Sequence, residues 1–332
     1  VSAAERFAQW TAAAQGEPPV PAAIVDAHEP HVLEAALEAR TAGLIEPVLV
    51  GPRAPIEELC ARLCVEVPPL LESAPEGPAA EAAVRLVEEG RAAILVKGWV
   101  HTDVIMHPVL AHLRTHRRVS HVFAAALDRY HKPLLITDAA INILPDLLTK
   151  AEIVRNAVDL AALLGIGRPK VAALSALEMV KPAIPSTIDA ACLSKMAERG
   201  QIRGVVIDGP LAFDNAISRE AARIKGIDGE VCGDADILLA PDLDAGNILV
   251  KDLEYLAGAT LAGVVVGARV PIILTSRSDP HAARIASAAL AVRMHRAWGG
   301  GAPPAAGAGR AAEATSGGRD LGRSARAAAT PP

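Results

Sequence analysis

The most chemically loaded stretch of the chain is TSRSD, residues 275–279, where Ser276, Arg277 and Asp279 stand within four residues at the exit of an apolar run. A carboxylate in such a place can serve as general base. A guanidinium can hold an anionic substrate or offset negative charge that develops during a reaction. A competing reading is a helix cap, with Ser278 or Asp279 followed by Pro280 and an Ala-rich run, a common way for a helix to begin. The two are compatible, because a helix N-terminus itself favours anions. A second concentration of charge is RTHRRVSH, residues 114–121. Its Arg114, Arg117 and Arg118 either belong to a solvated helix end or offer planar forks to phosphate oxygens. His112 and His116 are four apart and could share a zinc ion on a helix face. Neither a nearby third ligand nor the Glu of an HExxH motif accompanies them, so no metal is expected.

Familiar signatures are missing. The chain has no GxxxxGK[ST] phosphate loop, no GxGxxG after a strand and no GxSxG nucleophile elbow. A nucleotide hydrolase, a dehydrogenase or a serine hydrolase would lack its usual glycines. The four cysteines, Cys60, Cys64, Cys192 and Cys232, form neither a CxxC redox pair nor a disulfide framework. They read as free thiols in a reducing compartment.

The elements that must position these residues follow from the apolar pattern. Short aliphatic runs fall at 22–26, 47–50, 93–97, 133–137, 170–174, 204–208, 235–239, 261–266 and 271–275. Ala/Leu/Glu/Arg segments with helical spacing lie between most of them, clearest at 31–42 and 79–89. Strands alternating with helices imply parallel sheets covered on both faces, and near-continuous apolar strands agree. Ligands of such sheets bind beyond the carboxyl ends of the strands. Five polar loops stand there: KGWVHTD from Lys97, TDAAIN from Thr137, DGPLAFDN from Asp208, PDLDAGN from Pro241, and TSRSD.

With 332 residues, the chain has room for about two domains. Hydrophobic residues make up 51% and aromatics only 2%, so the core is aliphatic. A balance of 33 Lys and Arg against 38 Asp and Glu leaves a charge of −5, which disfavours nucleic acid as the main partner. The N-terminal stretch has no basic-then-apolar leader pattern, and no apolar run reaches the ~18 residues of a membrane span. A soluble cytoplasmic protein is expected. From Gly299 to Pro332 the sequence consists largely of Gly, Ala, Pro, Ser and Arg and reads as a disordered tail.

In order, KGWVHTD, RRVSHVF, KPLLITDAAIN, IPSTIDAA, DGPLAFDNAIS, ADILLAPDLDAGN and GARVPIILTSRSD resemble the phosphate acetyltransferase/phosphate butyryltransferase family over roughly residues 21–298. The resemblance implies an α/β protein of two doubly wound domains with a cleft between them, similar to the isocitrate and isopropylmalate dehydrogenases. The first domain would comprise 1–126 with 264–298, the second 127–263, and the tail 299–332. It implies exchange of a short acyl group between coenzyme A and inorganic phosphate, with coenzyme A as substrate rather than cofactor, in a homodimer or larger assembly. Ser276 and Arg277 match the family's Ser-Arg pair in the cleft, and Asp279 is the match for its carboxylate base. Lys97, His101, Thr102, Arg114, Arg117, Arg118, Asp208 and Asn247 are then candidate contacts to coenzyme A and phosphate. His107 and Ala139 stand where acetyl-preferring relatives often carry arginines, which points toward a butyryl or mixed-acyl enzyme. Two alternatives keep the fold: a non-catalytic acyl-CoA-binding scaffold, and an NAD-dependent decarboxylating dehydrogenase.

Overall fold

The computed structural model describes residues 3–274 and 279–298. The elements run in the order α1 (Ala3–Ala12), β1 (Val20–Val25), α2 (Pro30–Thr41), β2 (Ile45–Gly51), α3 (Arg53–Arg62), β3 (Leu70–Glu72), α4 (Gly77–Glu88) and β4 (Ile94–Lys97). Next come α5 (Thr102–His112), β5 (Ser120–Ala126), β6 (Leu134–Thr137), α6 (Leu147–Leu163), β7 (Lys170–Leu174), α7 (Pro185–Glu198) and β8 (Val206–Leu211). The remainder is α8 (Phe213–Ile217), α9 (Arg219–Ile224), β9 (Ile237–Leu239), α10 (Leu243–Tyr255), β10 (Thr260–Val266), β11 (Ile272–Ile273) and α11 (His281–Ala297).

The eleven strands among the described residues join one sheet in the order β3-β2-β1-β4-β11-β10-β5-β6-β9-β7-β8. The five strands at one end are parallel, and so are the four at the other end. Between them β10 and β5 are antiparallel to each other over seven residue pairs. β10 is also antiparallel to β11, and β5 to β6. The two parallel regions therefore run in opposite senses, and the carboxyl ends of one lie at the edge where strands of the other begin. The alternation of strand and helix expected from the sequence is present, and the sheet is doubly wound.

Local chemistry sets the helices. Proline opens the first turn of α2, α4 and α7, where its missing N–H is not needed. Asp146, Ser218 and Asp242 cap α6, α9 and α10 by accepting from the N–H of Thr149, Ala221 and Ala245. α4 buries Ala79, Ala80, Ala83, Val84 and Val87 on one face, the spacing of an amphipathic helix. α11 returns to the first region, where Arg284 Nη2 donates to Glu38 Oε2 of α2 at 2.9 Å and Arg296 Nη1 to the carbonyl of Ala14 at 2.7 Å.

Two strands differ from the sequence expectation. β3 is short and only partly buried. β5, SHVFAAA, combines an alanine run with a preceding basic segment and has no β-branched residue besides Val122. Its strand state comes from pairing with β10 and β6 in the middle of the sheet, a case of tertiary context overriding local preference.

Candidate functional site

A cleft of about 1170 Å³, open to solvent, lies over the antiparallel centre of the sheet. One wall is the carboxyl end of β4 and the start of α5, carrying Lys97, His101 and Thr102. Asp279, just ahead of α11, also lines the cleft. The opposite wall is the turn after β6, with Ala139 and Ala140, and one face of α10, with Asn247, Val250, Lys251 and Glu254. The floor is Phe123, Leu261, Gly263 and Leu274.

Strand register explains why these groups meet. Phe123 of β5 pairs with Gly263 of β10. Val265 pairs with Ile272, so two steps along the antiparallel ladder Gly263 stands opposite Leu274. Ile273 pairs with Val96, which places Leu274 and Lys97 each one residue further in the parallel direction. A single row across four strands therefore runs Lys97, Leu274, Gly263, Phe123, from cation to aromatic ring. Thr275, Ser276, Arg277 and Ser278 continue directly from Leu274 and lie outside the described residues.

The second wall is held by a buried carboxylate. Asp138 is 3% exposed, and its Oδ1 accepts from the N–H of Ala140 and Ile141 at 2.9 and 3.1 Å. Its Oδ2 accepts from Asn142 Nδ2 at 2.6 Å. Burial pushes this carboxyl upward against those hydrogen bonds. Asn247 Nδ2 donates to the carbonyl of Ala139 at 3.2 Å, tying α10 to the same turn. Gly246 is required here, since a Cβ would come within 2.4 Å of the Asp138 carbonyl. On the floor, Ser287 Oγ of α11 accepts from the N–H of Gly263 at 3.0 Å.

The charges facing the cleft are coupled. Burial raises the Glu254 carboxyl above its usual range, the negative charge of Asp279 adds to the rise, and Lys251 opposes it. Two carboxylates and two lysines thus share one partly desolvated space. Asp279 does not cap α11: the cap residue is Pro280, with no side-chain cap bond, and the Asp279 carbonyl accepts from Arg284.

Of the residues singled out by sequence, the structure brings Lys97, His101, Thr102, Asn247 and Asp279 together. Arg114, Arg117, Arg118 and Asp208 are placed elsewhere. Arg117 is 7% exposed, and its guanidinium is spent on an ion pair with Asp159 and a hydrogen bond to Asn156, both on α6. Arg118 Nε donates to Asn142 Oδ1 at 2.8 Å on the far side of the turn after β6. Arg114 is exposed and bridges by its backbone to Ala268. Asp208 sits on β8, at the end of the sheet, where its Oδ1 accepts from the N–H of Gly209. Ser276 and Arg277 fall outside the described residues. His112 faces Glu88 at 3.5 Å, and no cluster of three His, Cys, Asp or Glu suited to a metal occurs among the described residues.

Sequence reasoning missed Phe123, Val250, Lys251, Glu254 and Ser287. For α10 a signal existed: Asn247, Val250, Lys251 and Glu254 follow the i, i+3, i+4, i+7 spacing of one helix face.

A doubly wound α/β sheet with a polar cleft above its centre is an architecture on which many enzymes bind small-molecule ligands. Comparison with known proteins narrows the class. The family described as "Phosphate acetyl/butaryl transferase" matches residues 76–292. Phosphate acetyltransferase of Rhizobium meliloti is 50% identical over 291 residues, covering 86% of this chain and 92% of that protein. Phosphate butyryltransferase of Clostridium acetobutylicum is 41% identical, covering 81% of this chain and 91% of that protein. A branched-chain phosphotransacylase from Enterococcus faecalis V583 superposes with a TM-score of 0.71 at 32% identity, over 82% of this chain and 98% of that structure. The chain belongs to the phosphate acetyl/butyryl transferase family.

Proposed function

We propose that the protein is a phosphate acyltransferase, converting acyl-CoA and inorganic phosphate to acyl phosphate and CoA, with acyl groups from acetyl to butyryl. The observation that carries this is the convergence of Lys97, His101, Thr102, Asn247 and Asp279 on one cleft in a chain of this family.

In the direction that consumes acyl phosphate, the Asp279 carboxylate takes the thiol proton of CoA. A thiol of pKa about 8.5 is mostly protonated near neutrality, so a base raises the nucleophilic fraction. The sulfur attacks the acyl carbonyl, the bond from carbonyl carbon to phosphate oxygen breaks, and phosphate leaves. The proton held by Asp279 then passes to phosphate or solvent. Ser276 hydrogen-bonds the thiol or carbonyl oxygen, and Arg277 offsets charge on the oxyanion and the phosphate. Lys97 adds a second cation at the end of the floor row. Holding both substrates in one partly dry cleft supplies much of the rate. No cofactor or metal enters these steps.

The same reading divides the chain into 1–126 with 264–298 and 127–263, moving about the β5–β10 pair. The reversal of strand direction at that pair supports the division. A homodimer is part of the proposal, supported by exposed apolar side chains such as Ile143 and Leu144 at 74% and 82% exposure. So is a cytoplasmic location. No helix among the described residues is long and apolar enough to cross a membrane. Arg118, which donates to Asn142 behind the second wall, and the exposed Arg114 are candidates for the nucleotide phosphates of CoA. Arg117, committed to Asp159, is a much weaker one.

The test is phosphate-dependent release of free CoA thiol from acetyl-, propionyl- and butyryl-CoA, with Arg277→Ala as control. Release that requires phosphate and vanishes in the control is the expected result. CoA binding without release from any acyl-CoA would favour the scaffold reading.

A further inference from the structure

Departure of phosphate from an acyl phosphate calls for a proton, just as attack by a thiol calls for the loss of one. An acyl phosphate dianion whose carbon–oxygen bond breaks unaided releases phosphate as a trianion, a strong base and a poor leaving group. A protonated carboxyl beside that oxygen lets it leave as the dianion instead. Asp279, ionised to take the thiol proton, cannot hold that second proton at the same moment.

Glu254 is placed to hold it. Its side chain lines the same cleft as Asp279, on a helix fixed against the sheet by the buried Val250 and Leu253. The carboxyl is half-buried. Burial and the negative charge of Asp279 both favour its protonated form. So does the carboxyl end of α10, whose last turn contains it. Lys251 opposes them, yet it forms no ion pair with Glu254, which has no hydrogen-bond or ion-pair partner among the described residues. Other half-buried carboxylates are matched: Asp159 by Arg117, Asp189 by Lys150, Glu178 by Lys225, and Asp234 by Lys132 and Lys170. No such partner accounts for Glu254. The remaining titratable groups lining the cleft are Lys97 at the end of β4 and His101 ahead of α5, and His101 is exposed.

We propose that Glu254 is a second catalytic carboxyl, the acid that protonates departing phosphate and, in the opposite direction, the base that deprotonates attacking phosphate. The proposal rests on the acyl-transfer reading above. In the direction that consumes acyl phosphate, Asp279 takes the S–H proton and the sulfur–carbon bond forms. As the carbon–oxygen bond breaks, the Glu254 carboxyl gives its proton to that oxygen, and phosphate leaves as the dianion. Asp279 is then protonated and Glu254 ionised. Passage of the proton from Asp279 to Glu254 restores both, so in net terms phosphate gains the proton that the thiol lost. In the opposite direction Glu254 takes the phosphate O–H proton as that oxygen attacks the thioester. Asp279 then gives its proton to the departing sulfur. Two carboxyls in unlike surroundings divide acid and base roles in this way.

The experiment follows kcat and KM against pH in both directions, CoA acylation from acetyl phosphate and phosphate-dependent CoA release from butyryl-CoA. It uses full-length wild type, Glu254→Gln, Glu254→Asp and His101→Asn, with folding checked by circular dichroism and thermal melting. Glu254→Gln is expected to lower kcat by about 10²-fold in both directions, within the usual contribution of a positioned acid or base, with KM values little changed. In wild type, kcat for CoA acylation falls as rising pH ionises Glu254. The kcat for phosphate attack falls as dropping pH protonates it. Both limbs disappear in Glu254→Gln, and Glu254→Asp, which keeps a carboxyl, recovers them with part of the rate. A folded Glu254→Gln with kcat within a few-fold of wild type overturns the proposal. So do limbs that persist in Glu254→Gln and vanish in His101→Asn. Wild-type protein that transfers no acyl group in either direction refutes the acyl-transfer reading instead, so the two failures are distinct.

Discussion

The cleft and the basic segment at 114–118 both concentrate charge, and they use it in opposite ways. In the cleft, Lys97, Lys251, Glu254 and Asp279 share a space open to solvent. In the basic segment, Arg117 is driven inward and consumed by Asp159 and Asn156 of α6, while Arg114 and Arg118 stay at the surface. A buried guanidinium needs its charge matched where it sits, so Arg117 fastens α6 to the approach of β5. The density of cations in a sequence therefore says little about ligand binding until the partners of each are known.

The largest expected effect lies in the cleft. Asp279→Asn should lower kcat for thiol attack by roughly 10²–10⁴-fold, the usual contribution of a positioned base. Thermal stability should be unchanged. Stopped-flow or steady-state assay of CoA acylation from acetyl phosphate checks this, and a rate within a few-fold of wild type would remove Asp279 from the mechanism.

The mirror experiment is on the basic segment. Arg117→Ala leaves Asp159 buried without its cation and should cost about 3 kcal/mol of stability. KM values of the protein that remains folded should not move. Denaturant titration of Arg117→Ala beside the double variant Arg117→Met with Asp159→Leu sharpens the point. The apolar pair should recover most of the loss, since such replacements of buried ion pairs are often neutral. A raised KM for phosphate with undiminished stability would place Arg117 in the substrate site after all.

A third difference is set by pH. Burial lowers the His121 imidazole to about 3 in the folded protein, so folding prevents its protonation. The unfolded chain takes up that proton below about pH 6.5, and stability therefore falls as pH drops from about 6.5 toward 3, by roughly 1.4 kcal/mol per unit from this group. Above pH 7 the group contributes no slope. His121→Leu should flatten the dependence between pH 6 and pH 4.5, read from urea midpoints, and equal slopes in both proteins would contradict the assignment.

The smallest effect concerns Glu254. The negative charge of Asp279 helps hold the Glu254 carboxyl above its usual range, so Asp279→Asn should move the Glu254 titration to lower pH. The carbon-13 shift of the Glu254 carboxyl, followed against pH beside wild type, checks this. An unchanged or raised titration would show that the two carboxylates are not coupled in this sense.

Most parallel strands were legible because strands buried on both faces read as continuous apolar runs, as in ILVK of β4 and KVAAL of β7. β5 was not, because its alanines fit a helix as well as a strand and only β10 and β6 decide between them. The polar loops after β4, β6, β9 and β11 did mark the cleft. The loop after β8 did not join it, since β8 closes the far end of the sheet, a position no local pattern encodes. The pairing of Arg117 with Asp159 spans 42 residues of sequence. The row from Lys97 to Phe123 depends on strand register, which single residues do not announce.

The position of β11 fixes when the enzyme becomes competent during biosynthesis. This two-residue strand is the last in sequence among the described residues, yet it is fitted between β4 and β10 in the interior of the sheet. Until residues 272–273 have emerged from the ribosome, β4 and β10 have no neighbour on the sides they will share with it. The segment that follows, carrying Ser276, Arg277 and Asp279, arrives later still. A nascent chain that stops short of residue 272 can therefore hold much of the fold without the residues proposed to do the chemistry.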